Sequence, residues 1–264
     1  MTAAAPWWAG LGISDARVVD WPLMASPEAT FAISVAYLLV VFALNAWMKT
    51  REPFEMKSVA ILHNAVLIAL SLYMGVEILR NAVGSKFAFV CNRVDRTSES
   101  GLGMAKVLYI FYLSKAYEFV DTFIMALKKK TDQISFLHLY HHFMTFLLWW
   151  FGMRFTPGGD AYFSAMLNSF VHVVMYAYYL CAALGVRFPF KKLVTQLQLA
   201  QFAANVVHAG LGLYFGCYDV QDDFLPRWVI VGQLLYMTSF LVLFGLFYNQ
   251  AYKPAAAAKQ KKRQ

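Results

Sequence analysis

Ile134-Ser-Phe-Leu-His138-Leu-Tyr-His141-His142-Phe-Met-Thr-Phe-Leu-Leu-Trp149-Trp150-Phe-Gly-Met153 is almost unbroken apolar sequence with three imidazoles near its start. Its length matches the ~20 residues that an α-helix needs to cross a bilayer. Residues three and four apart share a helix face, so His138 stands beside both His141 and His142. Polar side chains at membrane depth are costly and turn toward a protein interior or a water-filled cavity. The stretch therefore predicts a spanning helix that carries chemistry.

Outward from it, the rest of the chain repeats the apolar pattern. Of 264 residues, 60% are hydrophobic and only 14% charged, and the mean hydropathy is +0.50. Further apolar runs lie at 29–48, 58–79, 105–127, 161–182, 193–215 and 227–250. The fold class expected is an all-α polytopic membrane protein with seven transmembrane helices. Residues 1–252 form one domain, and 253–264 are a low-complexity basic tail expected to be disordered. Trp7, Trp8, Trp149 and Trp150 are candidates for the membrane interface. No basic region precedes the first apolar run, which carries Asp15, Arg17 and Asp20, so no cleavable leader is expected.

The net charge of +8 would suit nucleic acid, but the basic residues sit in loops and the tail, where topology accounts for them. Alternate loops hold Lys49, Arg51, Lys57, Lys128, Lys129, Lys130, Arg187, Lys191 and Lys192, joined by the tail. The opposite loops hold the sparser Arg17, Arg80, Lys86, Arg93, Arg96, Arg154 and Arg227. The positive-inside rule makes the richer set cytosolic, with the C-terminus. The N-terminus then lies on the other side. Cys91 and Cys217 fall in non-cytosolic loops, where an oxidising compartment permits a disulfide or leaves two thiols. The final Lys-Lys-Arg-Gln resembles a dilysine retrieval signal of the endoplasmic reticulum.

Depth groups the polar residues. At ~1.5 Å per residue, Lys115, Glu118 and Asp121 lie ~18, ~13 and ~9 Å inside the cytosolic face. The histidine triplet lies ~6–12 Å in, His172 ~15 Å, and Gln198 and Gln201 ~8–12 Å. Lys115, Glu118 and Thr122, then Asn168, His172, Tyr176 and Tyr179, then Thr195, Gln198 and Gln201, each follow steps of three or four and so make stripes. Mutually facing stripes would satisfy every polar group away from lipid, building a polar chamber open to the cytosol. Taken alone, Thr195, Gln198 and Gln201 read as interhelical hydrogen-bonding glue. Lys115 with Glu118 is equally compatible with a structural ion pair, and the isolated His63 and His208 read as hydrogen-bonded structural residues. Three imidazoles within one and a half turns have no comparable packing rationale.

Lys115-x-x-Glu118-x-x-Asp121-Thr122, His138-x-x-His141-His142, Asn168 followed by His172-Val-Val-Met175-Tyr176-Ala-Tyr178-Tyr179, and Thr195-x-x-Gln198-x-x-Gln201 stand in one order. In that order they resemble the ELO family of fatty acid elongases. The resemblance covers most of the apolar region, with Arg51-x-Pro53 and His63-Asn64 similar to an upstream segment in which Tyr often replaces His63. It implies a seven-helix enzyme of the endoplasmic reticulum membrane, with a lumenal disulfide matching Cys91 and Cys217. The reaction implied is condensation of long-chain acyl-CoA with malonyl-CoA to 3-oxoacyl-CoA, releasing CO2 and CoA. Gln133 and the Asn168-Ser-Phe-Val-His172 run look like the branch that takes polyunsaturated substrates.

The residue types suit that chemistry. A neutral imidazole can attack a thioester and hold the acyl group. The resemblance points to His141 as nucleophile with His172 beside the acyl carbon, while His138 and His142 orient it or carry protons. Asn168, Gln198 or Tyr176 would donate to the enolate oxygen, and Lys115, Glu118 and Asp121 would fix the imidazoles. Lys128, Lys129, Lys130, Lys191 and Lys192 suit coenzyme A phosphates, and equally serve as topology determinants. No cofactor or metal is expected beyond the two substrates. Membrane lipid is the surrounding partner, nucleic acid is not a partner, and a homodimer and other enzymes of the elongation cycle are candidates. The competing reading is a metal-dependent desaturase or hydroxylase, which also uses His-x-x-His-His. Only six histidines are present, too few for two irons, although one zinc would be served. A receptor or transporter would give no reason for the order of the motifs.

Overall fold

The computed structural model describes residues 8, 11, 14–186, 189–218 and 225–261, with side chains described up to residue 252. Arg187, and the expectations made for the tail and its Lys-Lys-Arg-Gln end, lie outside that set, apart from the backbone course of the last helix.

The described residues are helical, without strands. In chain order the helices are α1 (Pro27–Met48), α2 (Lys57–Gly84), α3 (Glu99–Tyr117), α4 (Phe119–Leu127), α5 (Phe136–Phe155), α6 (Ala161–Ala183), α7 (Lys191–Tyr214) and α8 (Arg227–Lys261). Four of them, Pro27–Met48, Lys57–Gly84, Ala161–Ala183 and Arg227–Tyr252 within α8, are long and apolar enough to cross a membrane. The others carry Lys115, Glu118, the histidine triplet, Gln201 and Asn205, which lower their hydropathy.

Local chemistry sets several starts. Pro27 opens α1, where its missing N–H costs nothing. Ser98 caps α3 by accepting from Gly101 N at 3.0 Å, and Ser135 caps α5 by accepting from His138 N at 3.3 Å. The second cap fixes the histidine triplet to the first turns of its helix.

The expected continuous helix 105–127 differs in two ways. It begins earlier, at Glu99, and is interrupted at Glu118, which ends α3 and starts α4. There the Asp121 N–H donates to the Glu118 carbonyl at 3.1 Å, a tightened turn spanning three residues. The interruption falls where the Glu118 carboxylate turns back to Lys115.

α2 packs along α6, α7 along α8, and α1 against α4 and α5. The largest core cluster holds Tyr37, Ile78, Phe111, Tyr112, Phe119, Phe146 and Trp150 between these helices.

The two ends of the bundle differ. At one end, Cys91 and Cys217 are joined by a disulfide linking the α2–α3 loop to the end of α7. The Asp160 carboxylate accepts from Cys91 N, Asn92 N and Asn92 Nδ2. Segment 14–24 is tied down by Arg17 donating to the Asp95 and Gly101 carbonyls, and by Arg154 donating to the Met24 carbonyl at 2.9 Å. Gly101 lies so close to the Asp95 carbonyl that a Cβ there would overlap it. At the other end, Thr195 and Gln196 of α7 reach the hydroxyls of Tyr252 and Tyr248 on α8. Phe54 N donates to the Leu127 carbonyl at 3.0 Å, and Lys129 Nζ reaches the Lys49 carbonyl at 3.5 Å.

Candidate functional site

The stripes expected on α4, α5 and α6 do meet. Lys115 and Glu118 are both buried and form an ion pair at 2.7 Å. Lys115 Nζ also donates to Asn168 Oδ1 at 2.9 Å, which ties α3 to α6. On the far side of Glu118, the same Oε1 lies 3.5 Å from His172 Nδ1. Among the described residues, the buried Glu118 Oε2 has no hydrogen-bond partner. A buried charge is tolerated only when paired, and here one carboxylate is shared by an ammonium and an imidazole.

The triplet is held unequally. Thr122 Oγ1 lies 2.8 Å from His138 Nε2 and 2.9 Å from Tyr37 OH. His142 is buried among the rings of Tyr37, Phe119 and His138, with ring centroids at 6.1, 6.1 and 4.5 Å. His141 is half-buried between the rings of His142 and Phe240. Among the described residues, its imidazole takes no hydrogen bond, and it sits within Coulombic reach of Glu118, His172 and Lys115.

Asp121 forms a second node. Its Oδ2 accepts from Tyr176 OH at 2.8 Å, and its Oδ1 lies 2.9 Å from Nε2 of His63 on α2. His63 thus belongs to this site rather than standing isolated, whereas His208 does bond the Phe89 carbonyl at 2.9 Å and stacks on Phe163. The signal for His63 was present: it lies six residues into α2, ~9 Å from the same end as the other polar groups. Tyr37 on α1 had no such signal, since one tyrosine in an apolar run is unremarkable.

α7 contributes less than its stripe implied. Gln198 Nε2 contacts Met175 Sδ at 3.3 Å, and Gln201 is buried. Among the described residues, neither side chain hydrogen-bonds the Lys115–Glu118–His172 cluster. Thr195 bonds the Lys191 carbonyl and Tyr252 OH, both at 3.3 Å, the interhelical role read for it. Lys128, Lys129 and Lys130 follow α4, while Lys191 and Lys192 begin α7, at the end opposite the disulfide. Lys192 lies over the Tyr248 ring at 5.8 Å.

Residues 22–263 match the family described as ELO: GNS1/SUR4 family. The chain belongs to the ELO family. It is 38% identical over 252 residues to very long chain fatty acid elongase 4 of Mus musculus, covering 94% of this chain and 79% of that one. It is 37% identical over 254 residues to very long chain fatty acid elongase 5 of Homo sapiens, covering 95% of this chain and 83% of that one. In this ELO chain, no three of the described His, Cys, Asp and Glu side chains converge in a geometry that could hold a metal ion. Membership of the ELO family does not favour the desaturase reading.

Proposed function

We propose that this protein condenses long-chain acyl-CoA with malonyl-CoA to 3-oxoacyl-CoA, through an acyl group held on His141. Family membership and similarity to elongases 4 and 5 make it a fatty acid elongase and a multi-pass membrane enzyme. The observation that carries the finer reading is the contrast among the imidazoles. His138 and His172 are engaged by Thr122 and Glu118, and His142 is walled in by rings, while the His141 imidazole takes no hydrogen bond among the described residues.

His141 attacks the thioester carbonyl, the C–N bond forms, and the C–S bond breaks as CoA leaves and takes up a proton. Loss of CO2 from malonyl-CoA gives an enolate whose carbon attacks the acyl carbon. The new C–C bond forms, the C–N bond breaks and the imidazole is regenerated. Asn168 is the suited donor to the developing oxyanion, because Lys115 occupies its Oδ1 and leaves its amide N–H groups for substrate. Tyr176 suits that task less, since its hydroxyl proton is committed to Asp121.

The remaining features belong to the same reading. The rods cross the endoplasmic reticulum membrane seven times, α3 and α4 counting as one, with the disulfide end lumenal and the lysine-bearing end cytosolic. Lys128–Lys130, Lys191 and Lys192 receive coenzyme A phosphates, and the acyl chain, polyunsaturated in its natural substrates, runs through the apolar interior toward the lumen. A homodimer and other enzymes of the cycle are its partners.

The test is incubation of purified protein with acyl-CoA alone, then peptide mass analysis. An acyl adduct on the His141 peptide, discharged by malonyl-CoA to a 3-oxoacyl-CoA two carbons longer, is expected. Turnover without an adduct, or an adduct elsewhere, would remove His141 from the role.

A further inference from the structure

The buried pair of His63 and Asp121 does nothing in the reaction just described. Yet His63 is only 3% exposed, and among the described residues its buried Nδ1 has no hydrogen-bond partner. A buried polar group left half-satisfied costs stability. Its other nitrogen is therefore the reason it is there. Nε2 meets Asp121 Oδ1 at 2.9 Å. Asp121 already accepts the Tyr176 hydroxyl proton through Oδ2 at 2.8 Å. A carboxylate offers only lone pairs, so the proton in the first bond is carried by His63 Nε2.

One carboxylate is thus clamped by donors from α2 and α6 while sitting on α4. The Tyr176 ring in turn stands edge-on to His172, with centroids 5.4 Å apart. His172 is held at Nδ1 by Glu118, 3.5 Å away. Among the described residues these are the two polar and ring contacts of the buried His172 imidazole, and one of them runs back to His63.

We propose that His63 is a positioning residue: by donating to Asp121 it fixes the Tyr176 hydroxyl, and through the Tyr176 ring it sets the orientation of the His172 imidazole. This rests on the function proposed above, for it assigns His63 a part in presenting His172 to the acyl carbon. A hydrogen-bonded chain of this kind acts as a unit, so losing one link loosens the others. The Tyr117 ring, with its centroid 5.1 Å from that of His63, is a packing contact that a phenyl ring can also make.

Two substitutions separate donating from packing. His63→Phe keeps the flat ring and removes the N–H. His63→Gln keeps an N–H near Nε2 and removes the ring. Two readouts are needed. The first is kcat against KM for acyl-CoA. The second needs no turnover: the rate at which diethyl pyrocarbonate modifies each histidine, resolved by peptide mass.

His63→Phe is expected to lower kcat about tenfold with KM unchanged, and to change the modification rate of His172 severalfold while sparing His208. His63→Gln should stay near wild type in both. The opposite ranking, or an unchanged His172 rate in His63→Phe, overturns the proposal. If His63→Phe unfolds, all histidines react faster together. Tyr176→Phe, which cuts the chain at its other end, is then read instead and must alter His172 in the same way; no change there overturns the proposal. Condensation by wild type decides the proposed reaction, whereas the His172 modification rate decides the role of His63.

Discussion

Lys115 and Glu118 show what a buried charge requires of its neighbours. Both are essentially out of solvent, at 2% and 1% exposure, and each neutralises the other at 2.7 Å. Lys115→Met should therefore cost about 3–5 kcal/mol, because it strands the carboxylate. Adding Glu118→Gln should restore much of that loss, as thermal unfolding in detergent will show. His141 is expected to behave differently. Its imidazole supports no polar neighbour, so His141→Ala should fold and insert normally while product formation falls about a thousandfold or more. Fatty acid products two carbons longer, measured in cells fed the substrate, are the readout. At this scale much of the site was legible. Spacings of three and four placed Lys115, Glu118, His138 and His172 on facing stripes. What spacing could not give was pairing. Nothing in the sequence says that Asn168 turns its carbonyl to Lys115, or that Asp121 is shared by Tyr176 and His63, because those depend on how α2, α4 and α6 are rotated about their axes.

Helix periodicity found the rods but not all of their ends: α2 runs on to Gly84 and α8 to Lys261, beyond the expected 79 and 250. Ser98 begins α3 earlier than the hydropathy does, since a cap is set by one hydroxyl rather than by an apolar average. The break at Glu118 was illegible because neither Gly nor Pro marks it. The loop leading to that cap holds Asp95 in an unusual state. Burial pushes its carboxyl upward, but donation from the Ser98 hydroxyl and N–H, the Ser85 hydroxyl and the Thr97 N–H outweighs this and holds it at about 2, against an ordinary 3.8. A lowered value stabilises the folded loop above the ordinary value and loses that stabilisation as pH falls toward the folded one. Protection from amide exchange across residues 95–104, taken relative to the unstructured rate at each pH, should therefore fall between about pH 4 and pH 2, and Asp95→Asn should flatten that dependence. Gly101→Ala should loosen the same turn even at neutral pH, since the new Cβ has to displace the Asp95 carbonyl. Faster exchange confined to that region is the expected result.

For the molecule as a whole, the disulfide closes a loop with a sequence separation of 126. The double variant Cys91→Ser/Cys217→Ser should lower stability by about 2–5 kcal/mol, measured as the midpoint of thermal unfolding. In the unreduced wild-type protein, thiol reagents should label Cys181, the free cysteine, but neither Cys91 nor Cys217. That both cysteines lie at one end followed from counting loops. That segment 14–24 folds back over the same end did not, because Arg17 and Arg154 anchor it through backbone carbonyls that carry no sequence signature.

The Cys91–Cys217 bridge staples two rod ends that lie far apart along the chain. Heat that melts one rod therefore leaves its neighbour still tethered at that rim. The melted rod re-forms from an end already held in place, which shortens the search it has to make.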